Sequence, residues 1–273
     1  MGISARTTVC GIVLHPAGHT RSPAMHNAAY ASLGLDAAYH AFDVPPERLP
    51  AAIAGVRALG LRQVAVSIPH KEAVIDHLDA VDETARAIGA VNTVTRADDG
   101  TLVGTNTDHL GAIRALERLV DPRDKRAVVL GAGGAARAVV FGLLRAGATV
   151  TVLNRTARRA RALAEELGAA DAGPLDALGD VPHDILVNTT SVGLGADASP
   201  VASAHLRRGA VVMDAVYEPE ETRLLADARA AGAQALGGKW MLVYQAAAQL
   251  EIWCGRAAPI EAMARAFDEA GGP

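Results

Sequence analysis

The stretch Lys125–Arg159, KRAVVLGAGGAARAVVFGLLRAGATVTVLNRTARR, decides the fold. Its apolar run Ala127–Leu130 stops abruptly at Gly131, Gly133 and Gly134, a helical segment Arg137–Arg145 follows, and Ala148–Leu153 reads as a second buried strand. Gly131-x-Gly133-x-x-Ala136 fits the dinucleotide fingerprint. The first glycine makes the tight turn, the second lets the backbone approach a pyrophosphate, and the small third residue lets helix pack on strand. Gly131, Gly133, Gly134, Ala135 and Ala136 are therefore candidate phosphate-binding residues, with the free N–H groups and positive dipole end of the helix behind them. Glycines also serve ordinary turns; the strand before and the helix after are what favour a site here.

The end of the second strand sharpens the reading. An NAD site places Asp or Glu there to hold the ribose 2′-hydroxyl, whereas this chain has Asn154-Arg155-Thr156 with Arg158 and Arg159 close behind. Guanidinium forks suit a 2′-phosphate, which a carboxylate would repel, so the cofactor expected is NADP(H). The competing reading is a solvated basic helix face, and Arg161 with Glu165 at i, i+4 has that character.

Composition bounds the rest. With 273 residues, 50% apolar, 21% charged and a formal net charge of −4, the chain is an ordinary globular protein long enough for two α/β domains. No basic stripe exists outside the arginine cluster, so the expected partner is a small molecule and not nucleic acid. Cys10 and Cys254 are too few and too far apart for a disulfide framework or zinc site. His15, His19 and His26 are the one histidine cluster, but Pro16 and Gly18 spoil helical ligand spacing, so no metal is expected. Absence of an apolar leader or long apolar run gives the expectation of a cytoplasmic protein that does not engage a membrane. Monomer and homodimer both remain open.

In chain order the pattern predicts a strand Thr8–Leu14, a helix capped by Ser22 with Pro23 behind it, a strand Ala38–Val44, a helix Pro46–Leu59 and a strand Gln63–Ile68. Helices near Glu72–Leu78 and Asp82–Ile88 precede strands Val91–Arg96 and Thr101–Thr105, joined by an Asp98-Asp99-Gly100 turn. Strands separated by helices imply a mainly parallel sheet. An amphipathic helix Thr107–Leu119, read as a hinge, leads into the glycine-rich unit. Beyond it come a helix to Leu167, strands Ile185–Asn188 and Ala210–Ala215, a helix Glu221–Ala231 and a strand Gln234–Leu236. Gly237-Gly238 breaks the chain before helices Met241–Trp253 and Pro259–Ala270, which lack strands of their own and are expected to return to the first domain. The expected architecture is thus an N-terminal substrate domain of residues 1–106 plus 238–273, a Rossmann-like NADP-binding domain of residues 107–237, and a cleft between them that closes on binding.

Ligands in open parallel sheets sit beyond the carboxyl ends of strands. The third strand ends in Ser67-Ile68-Pro69-His70-Lys71, where a lysine can act as a tuned proton donor. The hairpin ends in Gly104-Thr105-Asn106-Thr107-Asp108, expected to bring a carboxylate to Lys71 across the cleft. Singly, Lys71 reads as a surface lysine and Asp108 as a helix cap. Together, before a dinucleotide site, they match the needs of carbonyl reduction. His70 and His109 are weaker proton carriers, since a sequence neighbour points elsewhere.

Several spaced segments resemble the shikimate dehydrogenase family along nearly the whole chain. His19-Thr20-Arg21-Ser22-Pro23-Ala24-Met25-His26-Asn27 is similar to the segment whose two hydroxyls hold the substrate carboxylate. Val66–Lys71 is similar to the loop with the catalytic lysine, Gly89–Thr93 to the segment whose asparagine binds substrate hydroxyls, and Gly104–Gly111 to the motif with the catalytic aspartate. The glycine-rich loop, Asn154-Arg155-Thr156 and Asn188-Thr189-Thr190-Ser191-x-Gly193 match the NADP half. Asp214-x-x-Tyr217-x-Pro219-x-x-Thr222 and Gly238-x-x-Met241-Leu242-x-x-Gln245 match the closing motifs. The resemblance implies Lys71 and Asp108 as catalytic residues. It implies Thr20, Ser22, Ser67, Asn92, Tyr217 and Gln245 at the substrate, and Arg159, Thr190, Gly238 and Met241 with the residues above at the cofactor. The implied reaction is NADPH-dependent, reversible reduction of 3-dehydroshikimate to shikimate.

The chain also departs from the family. Thr20 replaces a serine, Ser67 a threonine and Ala65 an asparagine, and Leu14-His15 replace the usual Gly-x before Pro16. Both hydroxyl swaps keep the hydroxyl. A single methyl is worth about 1–3 kcal/mol of discrimination, so quinate or another cyclic hydroxy acid stays open as substrate. A non-catalytic metabolite sensor is the rival of another class, and the Lys71 and Asp108 pair counts against it.

Overall fold

The computed structural model describes residues 3–271 and divides into two compact units. One runs through Thr107 and resumes at Val243; the other is Asp108–Leu242. The first unit opens with β1 (Thr8–Leu14), α1 (Ser22–Leu33), β2 (Ala37–Asp43), α2 (Leu49–Ala58) and β3 (Gln63–Val66). It continues with β4 (Ala80–Val81), α3 (Glu83–Ile88), β5 (Thr93–Arg96) and β6 (Leu102–Thr105). The six strands form one sheet in the order β2-β1-β3-β5-β6-β4. Pairings of β1 with β2 and β3, and of β4 with β6, are parallel; β5 runs antiparallel to both of its neighbours. The mainly parallel expectation thus meets one reversal, imposed by the hairpin whose turn is made by Gly100 at φ +91°.

Val13, Val64, Val66, Val94 and Leu102 of this sheet pack on Ile53 and Val56 of α2 to form a closed apolar core. Two expectations need correction. Ser22 is the first residue of α1 rather than its cap: Arg21 takes the capping position with α-like torsions, and no side chain caps the helix. The segments at Pro46–Arg48 and Ala73–His77 are 3-10 helices rather than α-helix, and β4 escaped prediction altogether.

The second unit contains α4 (Asp108–Leu116), β7 (Arg126–Leu130), α5 (Gly134–Arg145), β8 (Thr149–Leu153), α6 (Ala157–Leu167) and β9 (Asp171–Gly173). After these come β10 (Ile185–Asn188), β11 (Val211–Asp214), α7 (Arg223–Ala230) and β12 (Gln234–Leu236). Every pairing in its sheet is parallel, in the order β12-β11-β10-β7-β8-β9. Renumbered within the unit, this is the six-stranded order 3-2-1-4-5-6 reversed, whose direction of winding switches between β7 and β10. Val128, Leu130, Leu153, Leu186 and Val212 form its core with Leu224 and Ala228 of α7.

The closing helices are α8 (Lys239–Cys254) and α9 (Ile260–Ala270). α8 crosses the second boundary between units, which lies at 242/243, five residues beyond the expected 237/238. α9 packs on α1. Among the described residues no helix is long and apolar enough to cross a membrane.

Gly104, inside β6, has no room for a side chain: a Cβ there would lie 2.5 Å from Leu78 Cδ1 and 2.8 Å from Val91 Cγ2. Gly104→Ala is expected to cost about 1–3 kcal/mol of stability through overpacking, read as a lowered denaturation midpoint with an unchanged slope.

Candidate active site

The nucleotide half lies at the switch point of the second sheet. β7 hands the chain to Gly131, whose N–H donates to Leu153 O at 2.8 Å and whose φ of +118° favours glycine. A Cβ at Gly131 would also lie 2.5 Å from Thr189 Oγ1, because that hydroxyl crosses from the end of β10 to donate to Leu130 O at 2.7 Å. The glycine therefore answers two demands at once, and the second, tertiary one is invisible in the fingerprint. Gly133 caps α5 and opens it, its carbonyl accepting from Arg137 N–H at 3.0 Å; the space a Cβ would occupy there holds no protein atom. That gap beside a helix N-terminus fits a pyrophosphate. Gly134 and Ala135 are half-buried beside it, while Ala136 is fully buried and keeps α5 close to the sheet.

After β8, Asn154 Nδ2 donates to Thr156 O at 3.1 Å, which turns the chain into α6 and leaves Arg155, Thr156, Arg158 and Arg159 exposed. None of these three arginines pairs with a carboxylate among the described residues. Nor does Arg161 pair with Glu165, as its spacing suggested. Instead Glu166 of α6 meets Arg137 of α5. The donor set beyond β8 is cationic and unneutralised, which fits a 2′-phosphate.

Beyond β10 and β11 a buried network orders the next loops. Asp214, fully buried, accepts from Asn188 Nδ2 at 2.9 Å, Thr222 Oγ1 at 2.7 Å and Val216 N–H at 3.0 Å. Thr190 donates both its hydroxyl and its N–H to Asn188 Oδ1, at 2.8 and 3.0 Å. Burial raises the Asp214 carboxyl above the ordinary range, against the three bonds that favour its charged form. The network fixes the loop that carries Tyr217. Tyr217 and Gly238 line one cavity of about 470 Å³ with Trp240 and the Glu221–Arg229 ion pair. Gly238 is a close-approach glycine, its absent Cβ 2.5 Å from Ala215 O, and Met241 is buried three residues further on.

In the first unit Asn92 gathers the polar residues. Only 1% exposed, its Nδ2 donates to Thr107 Oγ1 at 3.0 Å and to Gln245 Oε1 at 3.3 Å, and its Oδ1 accepts from Thr107 N–H at 2.9 Å and Thr93 Oγ1 at 2.7 Å. The structure thus brings Asn92 and Gln245 together, with Thr107 between them as a partner that sequence reasoning gave no such part. Val91 N–H donates to Lys71 O at 2.8 Å, so the backbone of half-buried Lys71 is anchored one residue from Asn92. Ser67 closes the same loop, its N–H donating to Val13 O at 3.0 Å and its carbonyl accepting from His70 N–H at 2.8 Å. Thr20 and Ser22 lie either side of Arg21 at the start of α1, Ser22 N–H donating to Thr20 Oγ1 at 3.3 Å. Lys71 belongs to the first unit, and buried Asp108 begins the second as the first residue of α4.

The histidines are occupied elsewhere. His70 is buried with Nε2 2.7 Å from Val44 O, and His109 sets its ring edge-on to Phe141 at 5.6 Å. His26 stacks on Tyr39 at 4.1 Å, and burial pushes its pKa down to about 3, so it is neutral. His15 meets Asp43 at 2.7 Å. Among the described residues no group of three or more His, Cys, Asp or Glu could hold a metal ion.

Family models match this arrangement in order. The shikimate dehydrogenase substrate binding domain covers residues 12–94, shikimate/quinate 5-dehydrogenase 114–194, and the shikimate 5′-dehydrogenase C-terminal domain 238–266. A shikimate dehydrogenase (NADP(+)) from Natronomonas pharaonis is 48% identical over 261 residues, which is 95% of this chain and 98% of the relative. The chain belongs to the shikimate dehydrogenase family. A solved shikimate 5-dehydrogenase from Thermus thermophilus, in complex with NADP(H) and shikimate, superposes with a TM-score of 0.90 at 42% identity, covering 96% of this chain and 99% of that one. A ligand-free 5-ketofructose reductase of Gluconobacter superposes at 0.86 with 38% identity over 98% of this chain and 100% of that one. The likeness to shikimate dehydrogenases bears out the two-sheet α/β fold, and the expected chemistry is that of the family's NADP-dependent members.

The buried Asp214 network carries a stability prediction. All three of its partners donate, so an amide at 214 would set NH2 against donors, and Asp214→Asn is expected to lose about 1–3 kcal/mol in chemical denaturation at neutral pH. The raised carboxyl also has a signed pH effect. Above about pH 4 the unfolded chain releases this proton while the folded one keeps it, so stability falls as pH rises through that window until the folded group ionises too. The Asn variant should lack that decline.

Proposed function

We propose that this protein is an NADP-dependent dehydrogenase that interconverts 3-dehydroshikimate and shikimate. Family membership from end to end carries the reading. The unneutralised Arg155, Arg158 and Arg159 beyond β8 support NADP(H) as the cofactor. When bound, NADPH supplies the hydride, and the chain must bind the acceptor, orient it and provide the proton. Thr20 and Ser22 hold the substrate carboxylate with their hydroxyls. Asn92, Gln245 and Asp108 take the ring hydroxyls, with Ser67 and Tyr217 completing the substrate set. Thr107, Thr93 and Gln245 hold the Asn92 amide in one orientation and use both of its donors and both acceptor positions, so a ring hydroxyl engages it by displacing one of them, the longest bond being that to Gln245 Oε1 at 3.3 Å. Lys71 Nζ gives its proton to the oxygen of the ketone as charge develops there, and Asp108 supports that transfer. Gly131, Gly133, Gly134, Ala135 and Ala136 cradle the pyrophosphate. Arg155 and Arg159 with Asn154 and Thr156 take the 2′-phosphate end, and Thr190, Gly238 and Met241 the nicotinamide end.

A second reading, a relaxed enzyme acting on quinate or another polyhydroxylated ketone, is favoured by Thr20 and Ser67. It is also favoured by the similarity to a protein named for reducing 5-ketofructose. Following NADPH absorbance separates the two. Turnover with 3-dehydroshikimate well above that with 3-dehydroquinate or 5-ketofructose is expected, and the reverse order would replace the first reading with the second. Lys71→Ala should lower kcat by about 10²–10⁴-fold; undiminished turnover removes the role assigned to Lys71.

Arg155→Ala should raise the KM for NADPH by about 10–100-fold, the worth of a hydrogen bond to a charged group, with little change for NADH. Equal changes for the two nucleotides would make the arginine a surface charge only.

A further inference from the structure

Arg21 stands between the two hydroxyl residues of the substrate unit, yet its side chain is only 5% exposed and turns into the protein. Its guanidinium lies over the ring of Phe267 on α9, Cζ 4.3 Å from the centroid, and Nη1 donates to Phe267 O at 3.4 Å. The end of α9 is shaped to receive it. Gly271 caps that helix at φ −76°, a torsion any residue adopts, so its backbone does not ask for glycine. A Cβ there, however, would lie 2.7 Å from Arg21 Nη1 and 2.8 Å from Cζ. The glycine makes room for the guanidinium. Burying so long a side chain costs conformational freedom, and a planar cation over an aromatic ring beside a carbonyl is a geometry lysine does not reproduce.

We propose that Arg21 is a positioning residue for the substrate carboxylate. By docking into the end of α9 it fixes the backbone of the turn from Thr20 to Ser22, where Ser22 N–H already bonds Thr20 Oγ1, and so sets the separation and direction of the two hydroxyls. The last helix of the chain thereby controls affinity for the acid group at the start of the first. The inference rests on the reading of Thr20 and Ser22 as carboxylate ligands.

The experiment compares Arg21→Met, Arg21→Lys, Gly271→Ala and Ser22→Ala in steady-state kinetics with 3-dehydroshikimate and NADPH, alongside thermal unfolding. Ser22→Ala tests the underlying reading: if the KM for 3-dehydroshikimate does not rise, the carboxylate assignment fails, whatever Arg21 does. Given a rise there, Arg21→Met should raise the same KM by about tenfold or more, the scale of a lost charge-assisted contact. Its kcat and its KM for NADPH should stay near wild type. Arg21→Lys should resemble Met rather than wild type. Gly271→Ala, which displaces only the guanidinium tip, should raise the KM by a smaller factor. A destabilised Arg21→Met enzyme with wild-type KM would make the arginine a merely structural clamp and overturn the proposal. If Arg21→Met does not fold, Gly271→Ala decides, and a folded variant with unchanged KM overturns it equally.

Discussion

The first unit depends on the satisfaction of one buried amide. Asn92 sits where β3 and β6 end and β5 begins, and its side chain and backbone together reach Thr107, Gln245, Thr93, Val66, Thr105 and Gln249. A polar group removed from water must find every partner inside the protein. Here those partners come from three strands, the loop behind β6 and a helix more than 150 positions later in the chain. The hairpin, the lysine loop and α8 are therefore placed by a single local requirement, and the candidate site inherits its rigidity from it. The second unit has a counterpart in Asp214, which draws β10, β11 and the start of α7 together.

Much of this was legible in the sequence because burial imposes short periods and ligands impose glycines. The strand Ile185–Asn188 and the strand Gln234–Leu236 stand where the apolar pattern puts them, and the glycine-rich turn between β7 and α5 has the torsion its sequence demands. What escaped was set by tertiary contact. β4 is two residues long and β9 three, too short to show alternation, and each exists only because a longer strand offers it a free edge. Ser22 carries a good capping side chain, yet Arg21 already has helical torsions, so the helix starts one step early and the hydroxyl is left for other work.

The site residues divide in the same way. Lys71 and Asp108 could be picked out by type and by position at strand ends, and Asn92 by the resemblance of its segment to the family's. Their supporting partners could not. Thr107 holds Asn92, Thr189 dictates Gly131, and Asn27 secures β2 through two bonds with the backbone of Tyr39, at 3.0 and 2.9 Å. Each is an ordinary polar residue until its neighbour across the fold is known. The arginines behave oppositely. Arg126, Arg137, Arg223 and Arg229 each meet a nearby carboxylate, whereas Arg155, Arg158 and Arg159 beyond β8, the cluster picked out from the sequence, meet none among the described residues.

The order in which the units occur along the chain has a consequence for how the molecule is made. The second unit is one continuous segment, Asp108–Leu242, inserted into a first unit whose two parts lie on either side of it. As the polypeptide leaves the ribosome, β1 to β6 emerge early, but Gln245 and Gln249 of α8 and the ring of Phe267 on α9 are still to come. Until then Asn92 and Gln63 lack their helical partners and α1 lacks its covering surface. The inserted segment has its whole sheet before that point and can fold as a unit in its own right. The half of the enzyme that is translated first is thus the half that is finished last.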